Sequence, residues 1–318
     1  MYLSIVSPVY NEHDNIPLLY QEVSAVMKDF SEWEFILVDD GSSDNSMEEL
    51  MKIAEKDPKH VKVIALRRNF GQTAAIAAGV DHASGEVIVL IDADLQNDPA
   101  DIPMMLEKID EGYDLVSGWR KKRQDTLSRR LPSTIANKII SRVTGVDLHD
   151  YGCTLKAYRR EVITGIRLYG EMHRFIPALA NTVGARICEV EVNHHPRRFG
   201  KPKYGLERTA KVILDLFTVK FLSSYTNKPI YMFGGSGLML STVGFLILLF
   251  LAIRRIFWKI SVVASPWFNV GIMIFILGFV LIMMGLLAEL LTRAYYESQN
   301  KKTYTIRSLT NFDEEPDS

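Results

Sequence analysis

Two long runs almost free of charged residues constrain this chain more than any other feature. Residues 229–253 and 266–291 are apolar over about 25 and about 26 positions, and Glu289 is the only acidic residue in either run. An α-helix of this length crosses a hydrocarbon core of about 30 Å. The segment between them, 254–265, is short. The two runs therefore predict a hairpin of membrane-spanning helices whose flanks lie on the same side of a bilayer.

Basic residues around the hairpin predict which side that is. The flanks carry eight of them and the turn carries three. Lysine and arginine accumulate on the cytoplasmic side of membranes, so both flanks are predicted to be cytoplasmic. The flanking residues are Arg208, Lys211, Lys220, Lys228, Arg293, Lys301, Lys302 and Arg307, and those of the turn are Arg254, Arg255 and Lys259.

Two segments adjoin the hairpin. Residues 206–228 repeat apolar side chains at helical spacing just before the first span, which predicts an amphipathic helix lying at the bilayer surface. Residues 292–318 are predicted to be a cytoplasmic tail. From about Phe312 onward the tail is acidic and contains proline, which is typical of a disordered end.

Residues 1–205 are predicted to form an α/β domain. Short β-branched runs at 3–6, 34–38, 61–66 and 87–91 alternate with segments of helical periodicity, which predicts a mostly parallel sheet with helices on both faces. The sequence has neither a GxGxxG dinucleotide fingerprint nor a GxxxxGK[ST] phosphate loop. The 37 basic and 38 acidic side chains give no reason to expect nucleic acid as a partner. Two cysteines form no CxxC pair, which favours a reducing compartment.

An acidic pair follows the strand at 87–91. Asp92 and Asp94 would lie at the carboxyl edge of the sheet, where open α/β sheets bind ligands. Their oxygens suit Mg²⁺ or Mn²⁺, and such an ion usually also holds substrate phosphates. Asp39 and Asp40 form a second acidic strand end. The alternative for the Asp92–Asp94 pair is an ordinary solvated strand end.

Two basic segments have two readings each. Residues 118–130 and 197–205 are rich in arginine and lysine, so they are either solvated loops or loops that hold phosphate. His194 and His195 are neighbours on a predicted strand, where adjacent side chains point to opposite faces. This pair is therefore interpreted as structural.

Together these features indicate a group transfer between phosphates beside a membrane. They also resemble a known family, the family 2 glycosyltransferases of GT-A fold. Within it the chain is similar to bacterial polyprenyl-phosphate glycosyltransferases, which are related to dolichyl-phosphate mannose synthase, and above all to the undecaprenyl-phosphate aminoarabinose transferase type. The motifs that carry the resemblance are Pro8-Val9-Tyr10-Asn11-Glu12, Val38-Asp39-Asp40-Gly41-Ser42, Asn69-Phe70-Gly71, Gly85-Glu86, Asp92-Ala93-Asp94-Leu95-Gln96, Asp150-Tyr151-Gly152-Cys153, Lys156-Ala157-Tyr158-Arg159-Arg160, Arg198-Phe199-Gly200 and Lys203-Tyr204-Gly205.

The resemblance implies a Rossmann-like GT-A domain over residues 1–205, Mg²⁺ or Mn²⁺ as cofactor, a nucleotide-sugar donor and a polyprenyl-phosphate acceptor in the lipid bilayer. It implies a multi-pass protein of the bacterial inner membrane. It also implies roles for particular residues. Asp94 with Asp92 would hold the metal; Pro8, Tyr10, Glu12, Asp40 and Gln96 would bind the donor; Arg120, Arg198 and Lys203 would contact phosphate.

One position departs from the pattern. Relatives in the glucosyl branch carry an aspartate, their proposed catalytic base, where this chain has Cys153. The nearest carboxylate here is Asp150, which is expected to orient the acceptor or to act as the base. A phosphate acceptor weakens the need for a base, because its second pKa lies at roughly 6. The expected reaction is an in-line attack on the anomeric carbon with inversion.

Two alternatives remain at this point. A processive polysaccharide synthase of the same fold would carry a Gln-x-x-Arg-Trp motif, and none of the four tryptophans follows an arginine. An inactive membrane-anchored scaffold is disfavoured by the intact Asp40, Asp92 and Asp94. The sugar stays open, and UDP is favoured over GDP only by the resemblance. A homo-oligomer also stays open, because Gly234, Gly235 and Gly237 permit close helix contact between chains or within one chain.

Overall fold

The computed structural model describes residues 2–121, 137, 140–142, 144–166, 172–196, 198, 230–259, 261, 265–298 and 303–312. The chain divides into two compact units. One comprises Met1–Val219 together with Lys302–Ser318, and the other comprises Lys220–Lys301. The predicted amphipathic helix at 206–228 lies outside the described residues.

The first unit is built on a single mixed sheet. Over the described residues the sheet has eight strands in the order β7-β5-β6-β4-β1-β2-β3-β8. Its central strands β4, β1, β2 and β3 are mutually parallel, and β7 is parallel to β5. The strands β6 and β8 run in the opposite direction. The strand bounds are β1 Leu3–Val9, β2 Trp33–Asp39, β3 Val61–Leu66, β4 Val87–Leu90, β5 Leu115–Trp119, β6 Lys156–Arg159, β7 Ile187–Glu191 and β8 Ile306–Thr310.

Helices cover both faces of this sheet. Their bounds are α1 Ile16–Val26, α2 Ser46–Lys56, α3 Gln72–His82, α4 Ile102–Asp110, α5 Arg160–Thr164 and α6 Ile176–Thr182. Side chains of α1, α2 and α4 share one buried cluster with Ile5 of β1, whereas α3, α5 and α6 share another with Val6. Adjacent residues of a strand point to opposite faces, so the two clusters lie on the two sides of the sheet.

Helix α3 packs very close to the sheet because its inward residues are small. A Cβ atom added to Gly79 would lie 2.3 Å from Cγ1 of Val6. Ala74, Ala75 and Ala78 are buried beside it. The parallel strand pairs and the helices on the two faces together confirm the predicted mostly parallel sheet with helices on both faces.

The segment after the apolar hairpin differs from the expectation. Residues 306–310 form β8, which pairs antiparallel with β3, and the sequence analysis assigned no strand to 292–318. Phe312, where the disordered end was expected to start, is half-buried and packs on the core beside His82 and Lys62. The strand was missed because it is short, polar and only partly buried.

The second unit contains the two apolar helices, α7 Ile230–Trp258 and α8 Pro266–Ser298. Judged by length and composition, Phe233–Trp258 and Pro266–Ala288 are long and apolar enough to cross a membrane. Most of the large apolar side chains of both helices face outward. α7 extends past the predicted end at Ile253, and α8 extends past Leu291.

Small residues allow the two helices to contact closely. A Cβ atom added to Gly237 would lie 2.5 Å from the carbonyl oxygen of Gly278, and one added to Gly244 would lie 2.8 Å from that of Gly271. Gly237 therefore makes a close helix contact within the chain, which is one of the two alternatives given for it above. Gly235 has nothing within 4 Å of its added Cβ position.

Candidate active site

The candidate site lies at the carboxyl edge of the central parallel strands. Val9 of β1 is in register with Asp39 of β2, and Val6 of β1 is in register with Leu90 of β4. The residues that follow these strands therefore meet at one edge. They include Tyr10 to Glu12, Asp40, and Asp92 to Gln96.

Asp40 is buried and holds the loop after β3. Its Oδ1 accepts a hydrogen bond from the backbone nitrogen of Phe70 at 2.7 Å, and its Oδ2 accepts one from Gly71 at 2.9 Å. Burial raises the pKa of Asp40, and these two hydrogen bonds oppose the shift. Asp40 was predicted to contact the base. The structure shows that its carboxylate already shapes the β3–α3 loop at the same edge.

Gly41 lets the loops after β2 and β3 touch. Its φ is +66°, and an added Cβ atom would lie 2.5 Å from the backbone carbon of Arg68. Only glycine satisfies both the backbone angle and this contact. The neighbouring Asp39 is also buried, which raises its pKa, and its carboxylate accepts from the backbone nitrogen of Ser42.

The loop after β1 is fixed to the start of α2. Glu12 donates its backbone N–H to Oγ of Ser46 at 2.9 Å, and its carboxylate accepts from Nδ2 of Asn15 at 2.6 Å. Pro8 and Tyr10 are half-buried at the same strand end. The structure thus brings Pro8, Tyr10, Glu12 and Asp40 to one edge of the sheet, where hydrogen bonds of Glu12 and Asp40 hold the loops in place.

Asp92 lies among cations. Its Oδ1 accepts from Nε2 of Gln72, the first residue of α3, at 2.8 Å. Burial raises the pKa of Asp92, and a hydrogen bond from Thr154 and the charges of three neighbouring cations oppose that shift. The three are Arg120, Lys156 and Arg174. This carboxylate is thereby placed in a partly buried pocket with an excess of positive charge.

Asp94 is half-buried two residues further along the loop. Its Oδ1 accepts from the backbone nitrogen of Gln96 at 3.2 Å, and Leu95 between them has a φ of +58°. Gln96 is held in turn by the segment after β7, because its carbonyl oxygen accepts from the backbone nitrogen of His195 at 2.9 Å. His195 also contacts Asp98, with 3.1 Å between Nε2 and Oδ2. The described residues contain no group of three or more His, Cys, Asp or Glu that would form an all-protein metal cage.

Arg120 and Asp150 form a bidentate pair. Nε of Arg120 lies 2.7 Å from Oδ2 of Asp150, and Nη2 lies 3.0 Å from Oδ1. Burial alone would lower the pKa of the guanidinium, but the hydrogen bonds and charge of Asp150 raise it above its ordinary value. Both were predicted site residues, in separate roles. The structure shows that they contact each other, which the sequence analysis did not predict.

The turn from Tyr151 to Cys153 is organised by a buried lysine. Nζ of Lys156 donates to the carbonyl oxygens of Tyr151 and Cys153. Burial lowers the pKa of Lys156 and raises the pKa of the Cys153 thiol to about 11. At neutral pH Cys153 is therefore a thiol and does not replace a carboxylate base.

The remaining predicted phosphate-binding residues are peripheral or not described. Arg198 pairs with Glu22 of α1, with 3.4 Å between Nη1 and Oε1. Lys203 and residues 122–130 of the first basic segment lie outside the described residues.

Several residues of this site escaped the sequence analysis. Among them, Lys156 belongs to one of the motifs that carry the resemblance, but it was assigned no role. The others lie in loops, in or at the start of helices or, for Glu189, in strand β7, and have no distinctive spacing. They are Gln72, Thr154, His173, Arg174 and Glu189.

Relatives of the same sequence family and solved structures of the same fold identify the chain as a glycosyltransferase with a GT-A-like fold. The sequence profile of Glycosyl transferase family 2 matches residues 4–166, and the chain belongs to this family. It is 43% identical over 312 residues to dodecaprenyl-phosphate galacturonate synthase of Rhizobium johnstonii, covering 96% of this chain and 92% of that protein. It is 37% identical over 309 residues to undecaprenyl-phosphate 4-deoxy-4-formamido-L-arabinose transferase of Photorhabdus laumondii, covering 96% and 94%.

Solved structures support the fold. Glucosyl-3-phosphoglycerate synthase from Mycobacterium tuberculosis, in complex with Mn²⁺, UDP and glucosyl-3-phosphoglycerate, aligns with a TM-score of 0.54 at 20% identity, over 70% of this chain and 79% of that one. A mannosyltransferase from Pyrobaculum calidifontis in complex with GDP-Man and Mn²⁺ aligns with a TM-score of 0.52 at 18% identity, over 70% and 63%.

Proposed function

We propose that this glycosyltransferase moves a sugar from a nucleotide-sugar, with UDP favoured, to polyprenyl phosphate at the cytoplasmic face of a bacterial inner membrane. The observation that carries the proposal is the acidic loop after β4, in which Asp92 feels the positive charges of Arg120, Lys156 and Arg174 and Asp94 follows two residues later. This combination suits a reaction between two phosphate-bearing substrates. The names of relatives that align over more than nine-tenths of their length support the polyprenyl-phosphate acceptor.

The donor is proposed to bind at the ends of β1 and β2. Pro8, Tyr10, Glu12 and Asp40 surround the strand ends where a base and ribose would lie. Gln96, held by His195, faces the same edge from the loop after β4.

The residues present fit a Mg²⁺ or Mn²⁺ ion bound with the donor. Magnesium sites usually combine one or two carboxylates with substrate phosphates, so a cage of three protein ligands is not required. Asp94 is the better ligand, because the cations beside Asp92 repel a metal ion. Asp92 is proposed to support it. When bound, the ion would neutralise charge on the leaving diphosphate.

A phosphate oxygen of the acceptor is proposed to attack the anomeric carbon. The bond from that carbon to the diphosphate breaks, the nucleoside diphosphate leaves, and the configuration inverts. Arg120 would hold the acceptor phosphate. Because Arg120 binds both carboxylate oxygens of Asp150, we assign Asp150 to positioning Arg120, with no role as a base. A phosphate with a second pKa of roughly 6 is already largely a dianion at neutral pH.

The apolar helices α7 and α8 are proposed to anchor the enzyme in the membrane that contains its lipid acceptor. The basic residues Arg198 and Lys203 are proposed to add phosphate contacts near the bilayer. Electrostatic attraction to anionic headgroups would assist both.

The test is a transfer assay with the full-length chain in detergent. The protein would be incubated with Mg²⁺ or Mn²⁺, undecaprenyl phosphate and one donor at a time from a panel of UDP-galacturonate, UDP-4-deoxy-4-formamido-L-arabinose, UDP-glucose and GDP-mannose. Lipid products would be identified by mass spectrometry. One donor is expected to give a polyprenyl-phosphate sugar, and EDTA is expected to abolish it. Hydrolysis of a donor without a lipid product would contradict the proposed acceptor.

A further inference from the structure

The turn that carries Asp150 is held by a carboxylate from strand β7. Glu189 of β7 points at the backbone of residues 149 and 150. Its Oε1 accepts from the backbone nitrogen of Asp150 at 3.0 Å. Its Oε2 accepts from the backbone nitrogen of His149 at 3.1 Å and contacts Nδ1 of the same residue at 2.8 Å.

Glu189 is suited to this task by its burial. Its side chain is 11% exposed, whereas that of His149 is 63% exposed. A shielded carboxylate that accepts several hydrogen bonds loses much more when one donor is removed than an exposed one does. Its three contacts fix both the position and the direction of the peptide that leads into Asp150.

A ring contact also holds the same turn. The His149 imidazole stacks on Trp119, with centroids 4.3 Å apart and planes 19° from parallel. Trp119 ends β5, and Arg120 follows it directly. The strands β5 and β7 are parallel neighbours, with Ser117 in register with Glu189. Arg120 and Asp150 are therefore both attached to one set of contacts, which Glu189, His149 and Trp119 form. We call this set the brace.

We propose that Glu189 is a positioning residue for the acceptor-phosphate site. It holds the His149–Asp150 peptide so that both oxygens of Asp150 face Arg120, and it acts on the reaction only through that pair. This inference rests on the proposed function, in which Arg120 contacts the acceptor phosphate.

The first test is kinetic. Glu189→Gln keeps the size of the side chain but turns an amide NH₂ toward backbone N–H donors. With the donor selected by the panel above, kcat/KM for undecaprenyl phosphate is expected to fall about tenfold, since hydrogen bonds to a charged group are lost. The donor KM is expected to change less than about twofold. Glu111→Gln removes an exposed carboxylate that pairs with Lys108, and is expected to behave as wild type.

A double-mutant cycle separates positioning from general stability. In an Asp150→Asn background, Glu189→Gln is expected to add less than about twofold, because its effect passes through Asp150. The proposal would be overturned if kcat/KM in the double variant fell by the product of the two single losses. It would also be overturned if Glu189→Gln left the acceptor kinetics unchanged.

A second readout needs no activity. Phenylglyoxal modifies exposed guanidinium groups, and peptide mass spectrometry reports the rate at Arg120. Glu189→Gln and Asp150→Asn are both expected to accelerate this modification, whereas Glu111→Gln is not. An Arg120 rate unchanged in Glu189→Gln refutes the brace. Absence of lipid product from the wild type with every donor refutes the proposed function, so the two failures are distinguishable.

A further variant covers the case in which Glu189→Gln does not fold. His149→Phe keeps a ring on Trp119 and removes only the Nδ1 contact. It is expected to lower acceptor kcat/KM roughly threefold and to accelerate Arg120 modification. Wild-type values for both would also overturn the proposal.

Discussion

The side-chain amide of Gln72 lies 2.8 Å from the Oδ1 atom of Asp92, so the first residue of α3 holds the first acidic residue of the Asp92–Asp94 pair. The two are separated by a whole helix and strand in the sequence. Helix α3 is in turn held close to the sheet by Gly79 and its neighbouring alanines. The packing of α3 on the sheet is thereby linked to the orientation of Asp92.

Gln72→Met tests this contact. The substitution keeps the length of the side chain and removes the donor, so Asp92 loses one of its hydrogen bonds. We expect transfer, measured as kcat/KM for the donor, to fall by about tenfold or more. Gln21→Met, an equivalent change at an exposed position of α1, is expected to leave kcat/KM unchanged. Equal kinetics for the two variants would refute a role for Gln72.

Asp94→Asn tests the proposed metal ligand. Asp94 is half-buried in a loop, so the fold is expected to survive, whereas lipid-product formation should drop below detection. Binding of Mn²⁺ in the presence of UDP, followed by electron paramagnetic resonance, should weaken in parallel. Asp110→Asn, at the exposed end of α4, is the control. Retained transfer in Asp94→Asn would rule out its role as the ligand.

Gly41→Ala tests the contact between the loops after β2 and β3. The added Cβ atom meets the backbone of Arg68 at 2.5 Å, in addition to the cost of a positive φ. We expect the free energy of unfolding in detergent to fall by more than about 3 kcal/mol. Gly145→Ala has a φ of +76° but nothing within 4 Å, so only the backbone term of about 1–2 kcal/mol applies. Similar losses for both variants would show that the Arg68 contact is unimportant.

His173 predicts a pH dependence of stability. It is buried against Thr73, with 2.7 Å between Nδ1 and Oγ1, and burial lowers its pKa to about 3. Below an unfolded pKa of about 6.5 the unfolded chain binds a proton that the folded chain does not, so stability falls as the pH falls. From pH 7 to pH 5 this effect is worth about 2 kcal/mol.

The matching variant is His173→Gln, which cannot titrate. Its melting temperature in detergent should decline less between pH 7 and pH 5 than that of the wild type. A parallel decline in both proteins would mean that His173 is not held neutral in the folded state.

Cys153 should be chemically silent in the folded protein. Its thiol is buried and its pKa is raised to about 11, so the thiolate is scarce near pH 8. Iodoacetamide at pH 8 should label Cys153 only after unfolding, as mass spectrometry of the peptides would show. Cys153→Ser should retain transfer within about threefold, because a neutral thiol is not the base. Rapid labelling of the folded protein would contradict the first expectation, and loss of transfer in Cys153→Ser would contradict the second.

Sequence periodicity predicted the parallel centre of the sheet because β1, β2, β3 and β4 are apolar runs buried on both faces. It also predicted the acidic strand ends, since Asp92 directly follows such a run. It did not predict that Asp150 would contact Arg120. A pair 30 residues apart depends on how β5 and β6 are ordered in the sheet, and local spacing carries no information about that order.

The strand β8 was missed for a different reason. Ile306 to Thr310 reads as a polar segment after a long apolar helix, and its stability derives from contacts distant in the sequence. Tyr304 donates to Oδ2 of Asp81 at 2.7 Å, and Nδ2 of Asn311 donates to the carbonyl oxygens of Ala54 and Val61 at 2.9 Å each. Nothing within the segment itself encodes these partners.

The return of the chain to β3 makes the apolar hairpin an insertion within one folded unit. The catalytic unit is connected to the hairpin at both ends of residues 220–301, so a single protease cut at one end leaves the connection at the other end intact. The pairing of β8 with β3 would also hold the two pieces of the catalytic unit together. A truncation before the hairpin would expose the β3 edge to pairing with other chains. A water-soluble form is therefore better obtained by replacing residues 220–301 with a short flexible loop, which keeps both pieces of the unit in one polypeptide.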